Sequence, residues 1–508
     1  MMDRKLIAVG LLITALSVLP SLKAENRKNA GEVKIGWAKA EITPTGPTYL
    51  GGQMYRRLAT RVHDPLLTSA MAIESGKEKI IMISVDATNI KPRLLNPIRR
   101  KVSAATGVPE TNIIASATHT HCAPKYEPYK ENDDAEIRKK HPDYVAAEEY
   151  FNFLIDKLSG AAIQAWNARK PGKIAYGMGE AAVGECRRIV LKGRGGLLYS
   201  DESDPDFLFV EGHVDHSLNI MATYSMDGKL TGLVINLACP AQVKEVMLYV
   251  SADFWHYVRT AVAERYGKDV VILPQCSPAG DQAPHKILNR KADTRMMLLR
   301  KQLKKPVTGW THSERVRNED YVDARCREIA RRIMTSVNEV LPLIEPTATA
   351  QPVVKRRFQL LQLPPRLITE AEYKAALGFI RDLEAAMKKD PENASSYQGR
   401  INWHRRVVNR YENKPKPIPM ELHVVRIGGA VFCTNTFELY LDFGDRIKGG
   451  SKAEQTFAVQ LAGGSGYLAS ARSGMTGYGS APASCPVSSE AGDLIVRESV
   501  KNINALFE

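Results

Sequence analysis

The sequence predicts an α/β fold, with a mixed β-sheet core flanked by helices. Short apolar runs rich in β-formers recur along the chain, and amphipathic helical patterns lie between several of them. The 508 residues also combine 44% hydrophobic with 25% charged side chains, enough to fill a large core and to cover it. With 7% aromatic residues this is an ordinary globular composition. It argues against a disordered chain, a collagen and a polytopic membrane protein.

Residues 1–24 come first. Arg4 and Lys5 precede a largely apolar stretch at 6–19, and polar residues and Ala24 follow, which is the layout of a secretory signal. The mature chain is therefore expected to start near Glu25 and to be periplasmic or secreted. Losing this segment lowers the net charge from +14 to +12. No later apolar run approaches about 20 residues, so no transmembrane span is expected after signal removal. The remaining positive charge is spread along the chain. Its two dense stretches, 286–305 and 400–416, read as solvated helix faces, and no nucleic-acid partner is expected. Seven cysteines, an odd number with no CxxC pair, leave at least one thiol unpaired within the chain. Cys122, Cys239 and Cys276 each stand beside a motif, where a ligand or packing role is as plausible as a bridge.

Runs 79–85, 112–117, 232–237 and 270–274 read as buried strands, and 146–165 and 254–266 as helices between them. Between 368 and 413 the pattern turns helical and charged, with proline-rich edges, which indicates a helical insertion or hairpin. A strand pair at 422–427 and 430–433 resumes the sheet, and 491–507 reads as a closing helix. No internal repeat is present.

The strongest local signal is ASATHTHCAP at 115–124, directly after an apolar strand. Residues two apart on an extended backbone point the same way, so His119 and His121 would face one cleft at a strand's carboxyl end. That suits one metal ligand plus one proton donor; two hydrogen-bonding loop histidines are the alternative.

Other motifs accompany it in order: GWAKAEITP at 36–44, ISVD at 83–86, SAD at 251–253, GDQAP at 280–284 and the stretch 456–467. Together they resemble the neutral/alkaline non-lysosomal ceramidase superfamily over nearly the whole mature chain. The resemblance implies one ceramidase-like catalytic domain over 25–508, without the family's added C-terminal immunoglobulin-like domain. It also implies an amide hydrolase whose Zn2+ is held by two His, a Glu and a Tyr.

Carried over to this chain, His119 is a zinc ligand and His121 polarises the substrate. The family's second zinc His falls in NLACPAQ at 236–242, which has none. Cys239 takes its place when the prolines are aligned, and a thiolate is a good zinc ligand. An inert buried cysteine is the alternative, with Gln242 or water filling the place or the metal lost. Glu438 corresponds to the acidic ligand, Tyr467 to the Tyr ligand and Tyr478 to a second Tyr that contacts substrate. Arg187, rather than its neighbour Arg188, matches the Arg that hydrogen-bonds substrate. GDQAPH at 280–285 departs from the family's G-D-x-S-P-N, so Ala283 replaces the nucleophilic serine. Hydrolysis is then expected to use a metal-activated water, with Asp281 orienting or deprotonating it and His285 as an extra donor. Capping a turn is the other role open to Asp281.

The expectation is an exported zinc-dependent hydrolase of an amide (N-acyl) bond, with a small-molecule lipid amide or glycan as substrate, since replacement of the serine and of one histidine suggests a substrate changed from the family's. A zinc enzyme acting on an extracellular glycan, as glycoside hydrolase, lyase or deacylase, and a non-catalytic binding homologue are the alternatives.

Overall fold

The buried apolar runs become the strands of one large sheet. A computed structural model describes residues 31–129, 133–198, 204–307, 311–474 and 476–508, and the signal segment expected at 1–24 lies outside them. The strands are β1 (Lys34–Glu41), β2 (Leu67–Ser75), β3 (Glu78–Val85), β4 (Ile113–Ala117), β5 (Lys170–Glu180), β6 (Ser217–Ser225), β7 (Leu230–Leu237) and β8 (Val271–Cys276). Their spatial order is β8-β7-β6-β5-β1-β2-β3-β4. The middle of the sheet is antiparallel, whereas both outer pairs, β3 with β4 and β7 with β8, are parallel. A parallel pair needs a crossover. Helices α1 (Pro92–Thr106) and α3 (Phe254–Tyr266) supply the two.

The sheet curls until its edges meet. Ser84 of β3 donates its hydroxyl to the carbonyl of Pro274 in β8 at 2.6 Å. Beyond the strands, the Ala241 amide donates to the Thr118 carbonyl at 3.2 Å. The loops after β4 and β7, far apart in sequence, are thereby brought into contact.

A second, four-stranded sheet fills the hollow. Its strands β9 (Val354–Leu363), β10 (Ile418–Ile427), β11 (Ala430–Thr434) and β12 (Gln455–Val459) lie in that order, the last pair parallel. Val425, Phe432 and Phe457 from this sheet pack with Met71, Met82, Ile114 and Leu273 from the first in one buried cluster. Helices α1 and α2 (Ala147–Asn167) cover one outer face, and α3 with α4 (Glu319–Ile344) cover the other.

The insertion expected at 368–413 is a helical hairpin, α5 (Glu370–Lys389) and α6 (Ala394–Glu412). Thr369 and Glu372 start it with a reciprocal capping box, the two backbone amides reaching the opposite side chains at 3.2 and 2.9 Å. The hairpin leaves the sheet between Leu363 and Ile418, which are themselves a paired couple at the end of β9 and β10. Helix α7 (Leu441–Gly450) follows β11, and the closing helix α8 spans Ser489–Asn504. All seven cysteines are buried with free thiols. Among the described residues no helix is long and apolar enough to cross a membrane.

Candidate metal centre

His119 lies just past the carboxyl end of β4, but strand alternation is not what aims it. Its φ is +66°, a left-handed conformation that costs a residue with a Cβ on the order of 1 kcal/mol. The kink is held by its amide, which donates to the Ala87 carbonyl at 3.0 Å. It turns the His119 and His121 rings edge to face, with centroids 5.0 Å apart. Nδ1 of His119 lies 2.5 Å from the Thr88 carbonyl. A carbonyl can only accept, so Nδ1 carries a proton and Nε2 is the nitrogen turned toward the cluster. That Nε2 is buried, has no hydrogen-bond partner, and sits 3.2 Å from Oε2 of Glu438.

Glu438 and Tyr467 reach this point together. Each follows a strand of the second sheet, and they pair with each other in the short parallel strands Glu438–Leu439 and Tyr467–Leu468. Gly280 makes the approach possible: a Cβ there would stand 2.3 Å from the Glu438 carbonyl oxygen. Burial pushes the Glu438 carboxyl up, but His119, the Tyr467 hydroxyl and Arg187 outweigh it and hold the group below the usual carboxylate range. Arg187 Nη2 donates to the Tyr467 hydroxyl and to the Gly280 carbonyl, each at 2.9 Å. One imidazole nitrogen, one carboxylate and one phenol oxygen converge, which is the count of protein ligands in an open catalytic zinc site.

A second layer stands behind His121. Its Nε2 lies 2.8 Å from the Gln242 side-chain amide, and its Nδ1 lies 3.8 Å from Oε2 of Glu245. The other Glu245 oxygen is 3.7 Å from Nε2 of His285, which also meets the Gln242 carbonyl at 3.1 Å. Burial holds His121 and His285 far below the usual imidazole range, so both are neutral. Burial also pushes the Glu245 carboxyl up to about 7, against the nearby charges of Arg187 and Arg57. Gly52, at φ +91°, lies flat against His121, where a Cβ would fall 2.3 Å from Cγ of the ring.

A cleft of about 560 Å³ adjoins the cluster through Gly52, Thr88 and Tyr478, and its lining also includes Lys125, Trp403 and Arg406. Tyr478 is 38% exposed; its ring meets Tyr467 edge-on at 5.6 Å and stacks on Trp403 at 5.7 Å.

No protein-family model matches the chain, and no curated protein sequence does. Among solved structures it is similar to neutral ceramidase from Pseudomonas aeruginosa, with a TM-score of 0.64 at 15% identity, over 94% of this chain and 75% of that one. A second, a ceramidase complexed with C2, gives 0.62 at 16% identity over the same shares. The chain has the ceramidase fold. At such identity the likeness is one of architecture, and residue roles rest on the geometry above.

Within this ceramidase-like fold, His119, Glu438, Tyr467 and Arg187 come together as the sequence suggested, with His121 and Tyr478 beside them. Cys239 does not join them. Its thiol lies 3.7 Å from the Pro240 carbonyl inside the core cluster of Leu237 and Val183, and burial pushes it far up, away from the thiolate a metal needs. Gln242 is the member of that loop that meets His121. Asp281 takes its capping role: Oδ1 accepts from the Leu441 amide at 3.1 Å at the start of α7, and its carbonyl accepts from the Arg187 amide at 2.9 Å. It thus positions Arg187. Ala283 is fully buried and pairs with Glu185. Arg188 is committed to a fork on Glu211 at 2.6 and 2.8 Å. Glu245 and Trp403 escaped sequence reasoning. The one available hint for Glu245 was its place three residues after Gln242 in the loop following β7.

Among the described residues, His63, Glu319 and Asp323 also stand close enough to share a cation. That place is already served by protein charge. Lys244 Nζ, fully buried, lies 2.7 Å from Asp323 and 3.5 Å from Asp64. Hydrogen bonds to Asp323 and Asp64 push His63 up to about 9, so its nitrogens donate and offer no lone pair.

Proposed function

We propose that the chain is an exported, metal-dependent hydrolase that cleaves an amide (N-acyl) bond, with Zn2+ as the ion. The observation that carries the reading is the buried, unpartnered Nε2 of His119 set 3.2 Å from Glu438, with Tyr467 beside it. His119, Glu438 and Tyr467 would hold the ion, leaving a position for solvent or substrate. When bound, such an ion supplies Lewis acidity, lowering the pKa of water and polarising a carbonyl.

The rest falls to the chain's own groups. Ala283 has nothing with which to attack, so the nucleophile is water and no acyl-enzyme forms there. Arg187, held by Gly280 and Asp281, presents a guanidinium beside Tyr467, suited to an oxygen that gains negative charge as the carbonyl is attacked. His121 links the ligand cluster to Glu245. With a carboxyl poised near neutrality in the layer behind His121, Glu245 is assigned the proton of the attacking water, reached by way of His121 and returned by the same route to the leaving amine. Export rests on the leader-like composition of residues 1–24.

The test is metal analysis of the purified full chain with an assay of N-acyl substrates. About one equivalent of zinc is expected, lost together with activity in His119→Ala and Glu438→Gln. A wild-type protein that stays metal-free in micromolar zinc would defeat the reading. Cell fractionation checks export, and a chain retained in the cytoplasm refutes it.

A further inference from the structure

Among the described residues, two cations that line the cleft have no ion-pair partner. Lys125, seven residues beyond Thr118 in the loop that brings His119, and Arg406, on α6, line it together with Trp403 and Tyr478. Two neighbouring cations are paired: Lys91 with Glu127 at 2.5 Å and Arg405 with Glu384 at 3.3 Å. Lys125 and Arg406 make no ion pair among the described residues; Lys125 Nζ instead lies 4.9 Å over the Tyr129 ring. Burial pushes the Lys125 ammonium down, and the charges of Lys91 and Arg406 add to that push against Glu127.

Two like charges converging on a partly enclosed cleft repel each other, and an anion placed between them relieves the repulsion. Arg is the side chain suited to fork a carboxylate or sulfate, and the stacked Trp403 and Tyr478 rings offer a flat wall to the body that carries it. The cleft is bordered by polar and cationic groups rather than a long apolar tunnel, which suits a charged substrate better than a neutral lipid.

We propose that Lys125 and Arg406 form an anion subsite, so that the N-acyl compound cleaved at the metal centre carries a carboxylate or sulfate. This rests on the hydrolase reading above. Two sources share this chemistry, an N-acyl amino acid and an acidic sugar bearing an N-acyl group.

The experiment compares two matched pairs on the zinc-supplemented full chain. One pair is N-lauroylglycine and its methyl ester; the other is an N-acetylated uronate disaccharide and its carboxyl-reduced form. Binding is read by calorimetry and turnover as kcat/KM. In at least one pair the acid is expected to bind about tenfold more tightly than its neutral partner, with the preference weakening in high salt. The preference is expected to collapse in Lys125→Gln/Arg406→Gln, whose folding is checked by its melting temperature and zinc content. Preference in the first pair identifies an acyl amino acid, and in the second an acidic sugar. No preference in either pair, or a preference that survives the double substitution, overturns the subsite. If the ester or the reduced sugar is cleaved as well as its acid, the subsite fails while the hydrolase stands. If an acid binds preferentially and no amide is cleaved, the subsite stands as a ligand site while the hydrolase fails.

Discussion

At the level of single residues, the centre depends on contacts that leave no spare room. Gly52 is the tightest case, because an added Cβ would meet the His121 ring at 2.3 Å on a backbone already at φ +91°. Gly52→Ala is expected to cost about 1–3 kcal/mol in stability and to lower kcat by displacing His121, measured by denaturant unfolding and initial rates. Glu245 gives a pH signature. Its carboxyl, raised to about 7, is protonated below that value and able to accept a proton only above it, so activity should rise with pH through about 7. In Glu245→Gln this limb should vanish and kcat fall by about 10²-fold or more; an unchanged profile would remove Glu245 from the proton path. Part of this was legible in the sequence. THTH after an apolar strand marked His119, and Glu438 and Tyr467 followed from the resemblance. Gln242 in place of Cys239 was not settled there, because which residue of a loop turns inward depends on how the backbone folds after β7, and a small thiol is equally content in a core. The left-handed turn at His119 carries no local signal either, since histidine does not favour that conformation as glycine does.

Elements were read more completely than residues. The strands at 79–85 and 232–237, the helix at 254–266 and the hairpin within 368–413 all form where apolar period, caps and prolines placed them. These are local signals, and local physics decides them. The basic stretch 400–416 was read as a solvated face, which holds for much of α6 but misses that Trp403 and Arg406 border the cleft. A helix's own sequence shows which face is polar, not what that face will confront. Trp403 ties the hairpin to the body, donating its indole N–H to the Ser484 hydroxyl at 3.1 Å and stacking on Tyr478. Trp403→Ala should therefore raise KM several-fold with a smaller effect on kcat, and limited proteolysis should nick the 389–394 link faster. A fall in kcat at unchanged KM would place the residue elsewhere in the cycle.

For the whole molecule, what the sequence could not convey is closure. The meeting of β3 with β8 and the seating of the second sheet are contacts between segments far apart in the chain, 190 residues for Ser84 and Pro274, and no periodicity encodes them. One ionic knot also joins distant parts: Lys244 from the loop after β7, Asp323 from α4, and His63 and Asp64 from near the amino end. Lys244→Met leaves two carboxylates without their buried cation and should cost about 3–5 kcal/mol, read from unfolding curves. The knot also predicts a slope with pH. His63 is raised in the folded protein to about 9 from the ordinary imidazole value of 6.5, so its contribution is complete below about 6.5 and is lost as pH rises through 9. On the order of 1 kcal/mol should disappear over that window, since the ring is half-buried and partly screened, and His63→Gln should flatten the slope.

The pairing of Leu363 with Ile418 makes the α5–α6 hairpin a detour that departs from and returns to neighbouring points of one sheet edge. A recombination event could exchange that excursion for another without removing a single strand or any of His119, Glu438 and Tyr467. Lineages built on this scaffold can therefore inherit one bond-breaking centre and still diverge in diet, by trading the detachable wall that greets what arrives.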